Sequence, residues 1–127
     1  MHEKHLYEYA VIRVVPFVER EEFVNAGIIL FSKRANFIRV YISLNEQRLC
    51  CFSADIDIEQ IKINLASFEK IALRLNGSGH IGAMDLPSRF RWLTAVRSSV
   101  IQTSKTHSGI CGDLEETAKR LFEEMVL

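Results

Sequence analysis

Apolar positions change their period along the chain, and the changes mark its elements. Tyr7 to Val15 reads Tyr-Glu-Tyr-Ala-Val-Ile-Arg-Val-Val, rich in β-branched and aromatic residues, and stops at Pro16, which has no amide to give a central ladder. This predicts a first strand, on which the two-residue period sets Arg13 on the same face as Tyr9, Val11 and Val15. Ala26 to Phe31 is an almost unbroken apolar run, as expected of a central strand buried on both faces. A polar connection, Lys33-Arg34-Ala35-Asn36, leads into the alternating segment Phe37 to Ser43, so these two segments read as a hairpin. The three strands are expected in one antiparallel sheet.

The period then lengthens to that of a helix. Ile58, Ile61, Leu65, Phe68, Ala72 and Leu75 follow three- and four-residue steps. Asp57 and Gln60 have capping-box spacing, Ile56 and Ile61 stand at the positions of a hydrophobic staple, and Asn76-Gly77 supplies a stop. Residues 77–82 (Gly-Ser-Gly-His-Ile-Gly) are predicted to form a flexible loop; with no strand before them and no phosphate-loop lysine, they are not a nucleotide fingerprint. Pro87 opens a short helix through Leu93, with Leu86, Phe90 and Leu93 on one side and Arg89 on another. Trp92 reads either as an exposed recognition aromatic or, more commonly for a residue beside Phe90 and Leu93, as part of the core. Ser98 to Thr103 reads as a fourth strand and Ser104 to Gly109 as a polar loop. Asp113 and Glu116 form a second capping box, starting a last helix whose apolar face is Leu114, Ala118, Leu121, Phe122 and Met125. The predicted fold class is α+β: a small antiparallel sheet of about four strands with two main helices packed on it and one short helix.

Composition narrows this picture. At 127 residues, 48% hydrophobic and 25% charged, the chain is expected to form one domain over residues 1–127. Sixteen basic residues balance sixteen acidic ones, which disfavours generic coating of DNA or of an anionic membrane. Charges in Met1-His2-Glu3-Lys4-His5 stand where a signal peptide needs an apolar stretch, and no run reaches spanning length, so cytoplasm is expected. Cys50, Cys51 and Cys111 are read as reduced thiols.

The distribution of charge says more than its sum. Residues 86–112 hold Arg89, Arg91, Arg97 and Lys105 and no acid, whereas residues 113–127 hold five acids against two bases. In one reading the two segments pair across the surface, where ion pairs contribute little. In the other, Arg89, Arg97, Ser98, Ser99, Gln102 and His107 converge with Arg13 on a phosphate, a carboxylate or an acidic partner, with Arg91 in the same basic stretch; guanidinium forks and hydroxyl donors suit such groups. Glu22, Asn25 and Gly27 lead into the central strand, and a carboxylate there is expected to hold Arg13 as a semi-buried pair. His107 is a candidate general base, but no nucleophile or triad accompanies it. His107 and Cys111 have a workable metal spacing to which Cys50-Cys51 would add thiolates, yet adjacent cysteines seldom share one tetrahedral site. No metal, cofactor or catalytic residue is assigned.

Two blocks carry a resemblance. The first is Arg13 and Pro16 followed by Glu22-Phe23-Val24-Asn25-Ala26-Gly27-Ile28-Ile29-Leu30-Phe31. The second is Pro87-Ser88-Arg89-Phe90-Arg91-Trp92-Leu93, then Arg97-Ser98-Ser99-Val100-Ile101-Gln102, with Ser104, His107 and Gly109 behind it. In these the chain resembles the bacterial "domain of unknown function 3037". The resemblance implies no activity; it implies a small companion of HipA-type kinase-like proteins, hence a binding partner or regulator. The expected function is a non-catalytic module that grips an acidic or phosphorylated partner. The alternatives are an enzyme acting on a phosphorylated or nucleotide substrate, with Glu22 or His107 as acid or base, and a nucleic-acid-binding domain. No membrane association is expected.

Overall fold

The computed structural model describes residues 3–53, 55–97 and 99–127. Strand β1 (His5–Val14) is the spine of an antiparallel sheet: β2 (Val24–Ser32) pairs along one of its edges, and β3 (Phe37–Ile42) pairs outside β2. The other edge of β1 is shared by two short strands. β5 (His107–Cys111) runs beside residues 5–9 and β4 (Ile101–Thr103) beside residues 12–14. Ser104 bridges the gap between them: its backbone N–H donates to the Val11 carbonyl, and its buried Oγ accepts from the Val11 N–H at 2.9 Å.

β5 was expected to be the end of a polar loop. His-Ser-Gly has little strand propensity of its own, and what orders it is the unpaired edge of β1. Gly109 lies against Tyr7, so closely that a Cβ there would stand 2.4 Å from the Tyr7 hydroxyl oxygen.

The hydrophobic run of β2 is buried on both sides, as predicted: Ile28, Ile29 and Leu30 have no exposed surface. On one face Ala10, Ile12, Val14, Ile29 and Phe31 pack with Ile61, Leu65 and Phe68 of α2 (Ile58–Leu73) and with Phe90 and Leu93 of α4, Leu86–Thr94. On the other, Tyr7, Val11, Ile28 and Leu30 meet Leu114, Ala118 and Leu121 of α5, Leu114–Met125. Each such aliphatic side chain contributes about 2 kcal/mol by leaving water. Asp57 and Asp113 cap their helices as expected, accepting from the N–H of Gln60 and Glu116, and Asp85, which the sequence reading did not single out, accepts from the N–H of Ser88 at the start of α4.

Other segments depart from the sequence reading. A one-turn helix α1 (Glu46–Cys50), capped by Asn45, buries Leu49, and a single turn α3 (Gly79–Gly82) stands inside the predicted flexible loop. α2 stops at Leu73 rather than at Asn76-Gly77, because Arg74 takes the left-handed conformation at φ 57° while its guanidinium donates to the carbonyls of Gly82 and Ala83. Tertiary hydrogen bonds thus outweigh the local glycine signal. Among the described residues no helix is long and apolar enough to cross a membrane.

A polar latch ties α5 to the edge strand. Glu115, in the first turn of α5, accepts from the Tyr41 hydroxyl and, at 2.6 Å, from Arg39 Nε. The Tyr41 hydrogen bond, reinforced by Arg39 and opposed by burial, holds the Glu115 carboxyl below its ordinary value of 4.5; burial first and then Glu115 raise Tyr41 above 10.0. The carboxylate therefore contributes stability in full above pH 4.5 and loses it as pH falls through the lowered folded value. Tyr41 contributes below pH 10.0 and loses its share as pH rises through its raised value. Glu115→Gln is expected to flatten the acid limb of stability against pH, measured by urea unfolding. Superimposable acid limbs in parent and variant would show that the latch contributes nothing.

Candidate functional site

α2 presents more than its buried stripe. Asn64, Ser67, Phe68 and Ile71 also follow three- and four-residue steps, so they form a band that flanks the core. This band is one wall of a cleft of about 350 Å³; Trp92 and Leu93 of α4 are the other, and Ala95, Arg97 and residues 99–102 close the end. Among the described residues none of the lining side chains is acidic. The interior is apolar, with Asn64, Ser67, Arg97, Ser99 and Gln102 as its polar residues. A concave apolar surface with few polar groups is the usual form of a binding site.

Helix α4 ends where the site begins. Ala95 turns to extended backbone at ψ 143°, and Arg97 folds back over the last turn: its guanidinium carbon lies 4.3 Å from the centre of the Trp92 ring, and Nη2 donates to the Trp92 carbonyl. The cation is thereby oriented by an aromatic face and by the carbonyl end of a helix, and among the described residues most of its five donors are left over. Trp92, for which the core is the commoner reading, is 37% exposed at the rim. Ser99 Oγ donates to the Ile101 carbonyl at 2.6 Å, and Gln102 Nε2 to the Ser99 carbonyl at 2.8 Å. These two side chains shape the loop. Ser98 lies outside the described residues.

The other predicted site residues do not converge on this cleft. Arg89 is 6% exposed and faces inward, donating through Nη1 to the Met84 carbonyl at 2.7 Å and through Nη2 to the Ala72 carbonyl at 3.4 Å. It joins the end of α2 to the turn before α4 and so sets the spacing of the cleft walls. Burial, and then the charge of Arg74, lower its pKa, while Asp85 acts in the opposite sense. Arg91 is exposed on the outer side of α4.

Arg13 lies on the opposite face of the sheet, the α5 face. The β1–β2 register jumps at Ile12/Arg13, Ile12 facing Gly27 and Arg13 facing Asn25. This bulge keeps Asn25 beside Arg13 while Val24 and Ala26 point to the α2 core. The expected ion pair of Arg13 with Glu22 is not made: Glu22 pairs with Arg20 at 2.6 Å, and Arg13 stacks on Phe23. Asn25 Nδ2 donates to the Met125 carbonyl at 2.9 Å, anchoring the end of α5.

His107 stands opposite Tyr9 on β5, with the ring centroids 5.2 Å apart. It shares the α5 face with Arg13 but is four β1 residues away, about 13 Å. His107, one of the two acid–base candidates of the enzyme reading, is thus separated by the sheet from Arg89 and Arg97. Among the described residues no three His, Cys, Asp or Glu side chains gather as metal ligands.

The sequence reading found the acid-free stretch that supplies Trp92, Arg97 and Ser99 and missed the α2 wall. The signal for it was present, since Asn64 and Ser67 sit at helical spacing beside Phe68 and Ile71.

The family described as "Protein of unknown function (DUF3037)" matches residues 9–126, nearly the whole chain, and the chain belongs to it. No curated protein and no solved structure matches.

Proposed function

We propose that this DUF3037 member is a non-catalytic, cytoplasmic binding module that uses the α2–α4 cleft to take an acidic or phosphorylated segment of a partner protein. The observation that carries the reading is Arg97, laid over Trp92 at the mouth of an apolar cleft that no acid among the described residues lines. An apolar side chain of the partner enters between Phe68, Ile71 and Leu93, and its anionic group meets the guanidinium and the Ser67 hydroxyl. The family resemblance makes a kinase-like protein of the HipA type the first partner to test.

Trp92 is the only tryptophan of the chain, so its emission reports occupancy of the cleft directly. Capped peptides carrying phosphoserine beside leucine should quench or shift it with saturation, and Arg97→Glu should weaken binding at least about tenfold, about 1.4 kcal/mol. The thermal midpoint should barely move, since Arg97 lies at the surface. Binding unchanged by Arg97→Glu would sink the reading. Binding of single-stranded oligonucleotides that weakens steeply with salt, with none of the peptides bound, would replace it with nucleic-acid recognition.

A further inference from the structure

We propose that Arg13 is a second binding point, on the face away from the cleft, and that it receives a carboxylate. β1 places Arg13 between Asn25 of β2 and Gln102 of β4, its directly paired neighbours in the ladder; the Gln102 amide is turned to the Ser99 carbonyl, which leaves Asn25 as the polar side chain beside the guanidinium. Helix α5 stops beside Arg13, where Asn25 holds the carbonyl of Met125, its last residue. The corner beyond the helix end is floored by Phe23, which is 44% exposed and lies 4.0 Å beneath the guanidinium carbon.

The fold leaves this corner unfinished. Arg13 is half-buried, and among the described residues no carboxylate pairs with it. Its Nε is closed off from solvent without a hydrogen bond, and so is Oδ1 of the neighbouring Asn25. A cation withdrawn from water needs an opposite charge, and within the described residues this one has only an aromatic face. Glu22 is engaged by Arg20. With Nε on the inner side, an incoming oxyanion meets the terminal nitrogens Nη1 and Nη2, whose paired N–H groups match the two oxygens of a carboxylate. The stack on Phe23 fixes the plane of the fork before the ligand arrives, which lowers the ordering cost of binding.

The side-chain Nε–H of Arg13 is a direct reporter. In ¹H–¹⁵N spectra of the full chain, acetate should move this resonance with saturation, whereas chloride at the same ionic strength should not. Arg13→Lys keeps the charge but removes the fork; followed through the Asn25 side-chain amide, its saturable response should be lost while the thermal midpoint reports that the variant is folded. If Arg13→Lys does not fold, Phe23→Leu serves instead, and should weaken acetate binding by removing the stack. Arg97→Glu, which disables the cleft, should leave the Arg13 response unchanged, so the two sites fail separately. A capped Leu-Asp-Leu peptide that binds at least about tenfold tighter than acetate assigns the carboxylate to a protein segment, and equal affinity assigns it to a small free acid. An Arg13 Nε–H that ignores acetate, or that responds equally to chloride, overturns the proposal.

Discussion

Arg89→Ala is expected to lower the free energy of unfolding by about 3 kcal/mol. The guanidinium is 6% exposed and serves two backbone carbonyls from separate elements, Met84 in the turn before α4 and Ala72 in the last turn of α2. Alanine leaves both acceptors without their donor, and it opens a void between two packed helices. Part of the loss is returned, because the variant no longer buries a charge whose Nε finds no acceptor. Arg89→Met separates these contributions. It fills much of the same volume without donors, so it should fall between parent and alanine variant. The measurement is the urea midpoint with an unchanged slope. An alanine variant as stable as the parent, impaired only in binding a partner, would return Arg89 to the surface role that its place in a basic stretch suggests.

Gly27→Ala should be as damaging, for a steric reason. A Cβ at this position would lie 2.5 Å from the carbonyl oxygen of Tyr41 and 3.2 Å from both Ile12 Cδ1 and Ile42 Cγ1. The first of these atoms belongs to the backbone of the adjoining strand, so no rotation of a side chain relieves the clash. β2 and β3 must part at the point where the bulge has already bent the ladder. A loss of about 3 kcal/mol or more follows. Gly112→Ala is the control: nothing stands within 4 Å of its added methyl, and a change within about 0.5 kcal/mol is expected. Equal unfolding midpoints for the two variants would show that the strands yield at little cost.

What could be read from the sequence was local. Asp57 and Asp113 mark helix starts because a cap and its partner lie within one turn, Pro87 marks another because its ring fits the first turn, and Ala26–Phe31 announces a doubly buried strand by lacking polar positions. What could not be read depends on partners far along the chain. The role of Arg89 is set by carbonyls five and seventeen residues away, brought together only when α2 and α4 pack. The left-handed cap at Arg74 depends on the turn at residues 82 and 83. β5 exists because the first strand has an edge to fill. The gathering of Arg13 with Arg89 and Arg97 failed for a related reason: sequence spacing assigns a residue to a face of its own element, but which layer of the molecule that face meets is decided by topology. Arg97, Ser99 and Gln102 lie close together in the chain, and among the described residues they are the part of the predicted site that one cleft unites.

The division of the far margin into three residues of β4 and five of β5, with the Ser104 hydroxyl taking the place of a rung between them, bears on solubility. A foreign strand laid along that side meets no long row of vacant amides and carbonyls, only two short stretches offset by a polar link. Uninterrupted margins invite runaway stacking of sheets between molecules. A spine strand flanked by such fragments keeps its own pairing complete while offering neighbouring molecules very little to extend.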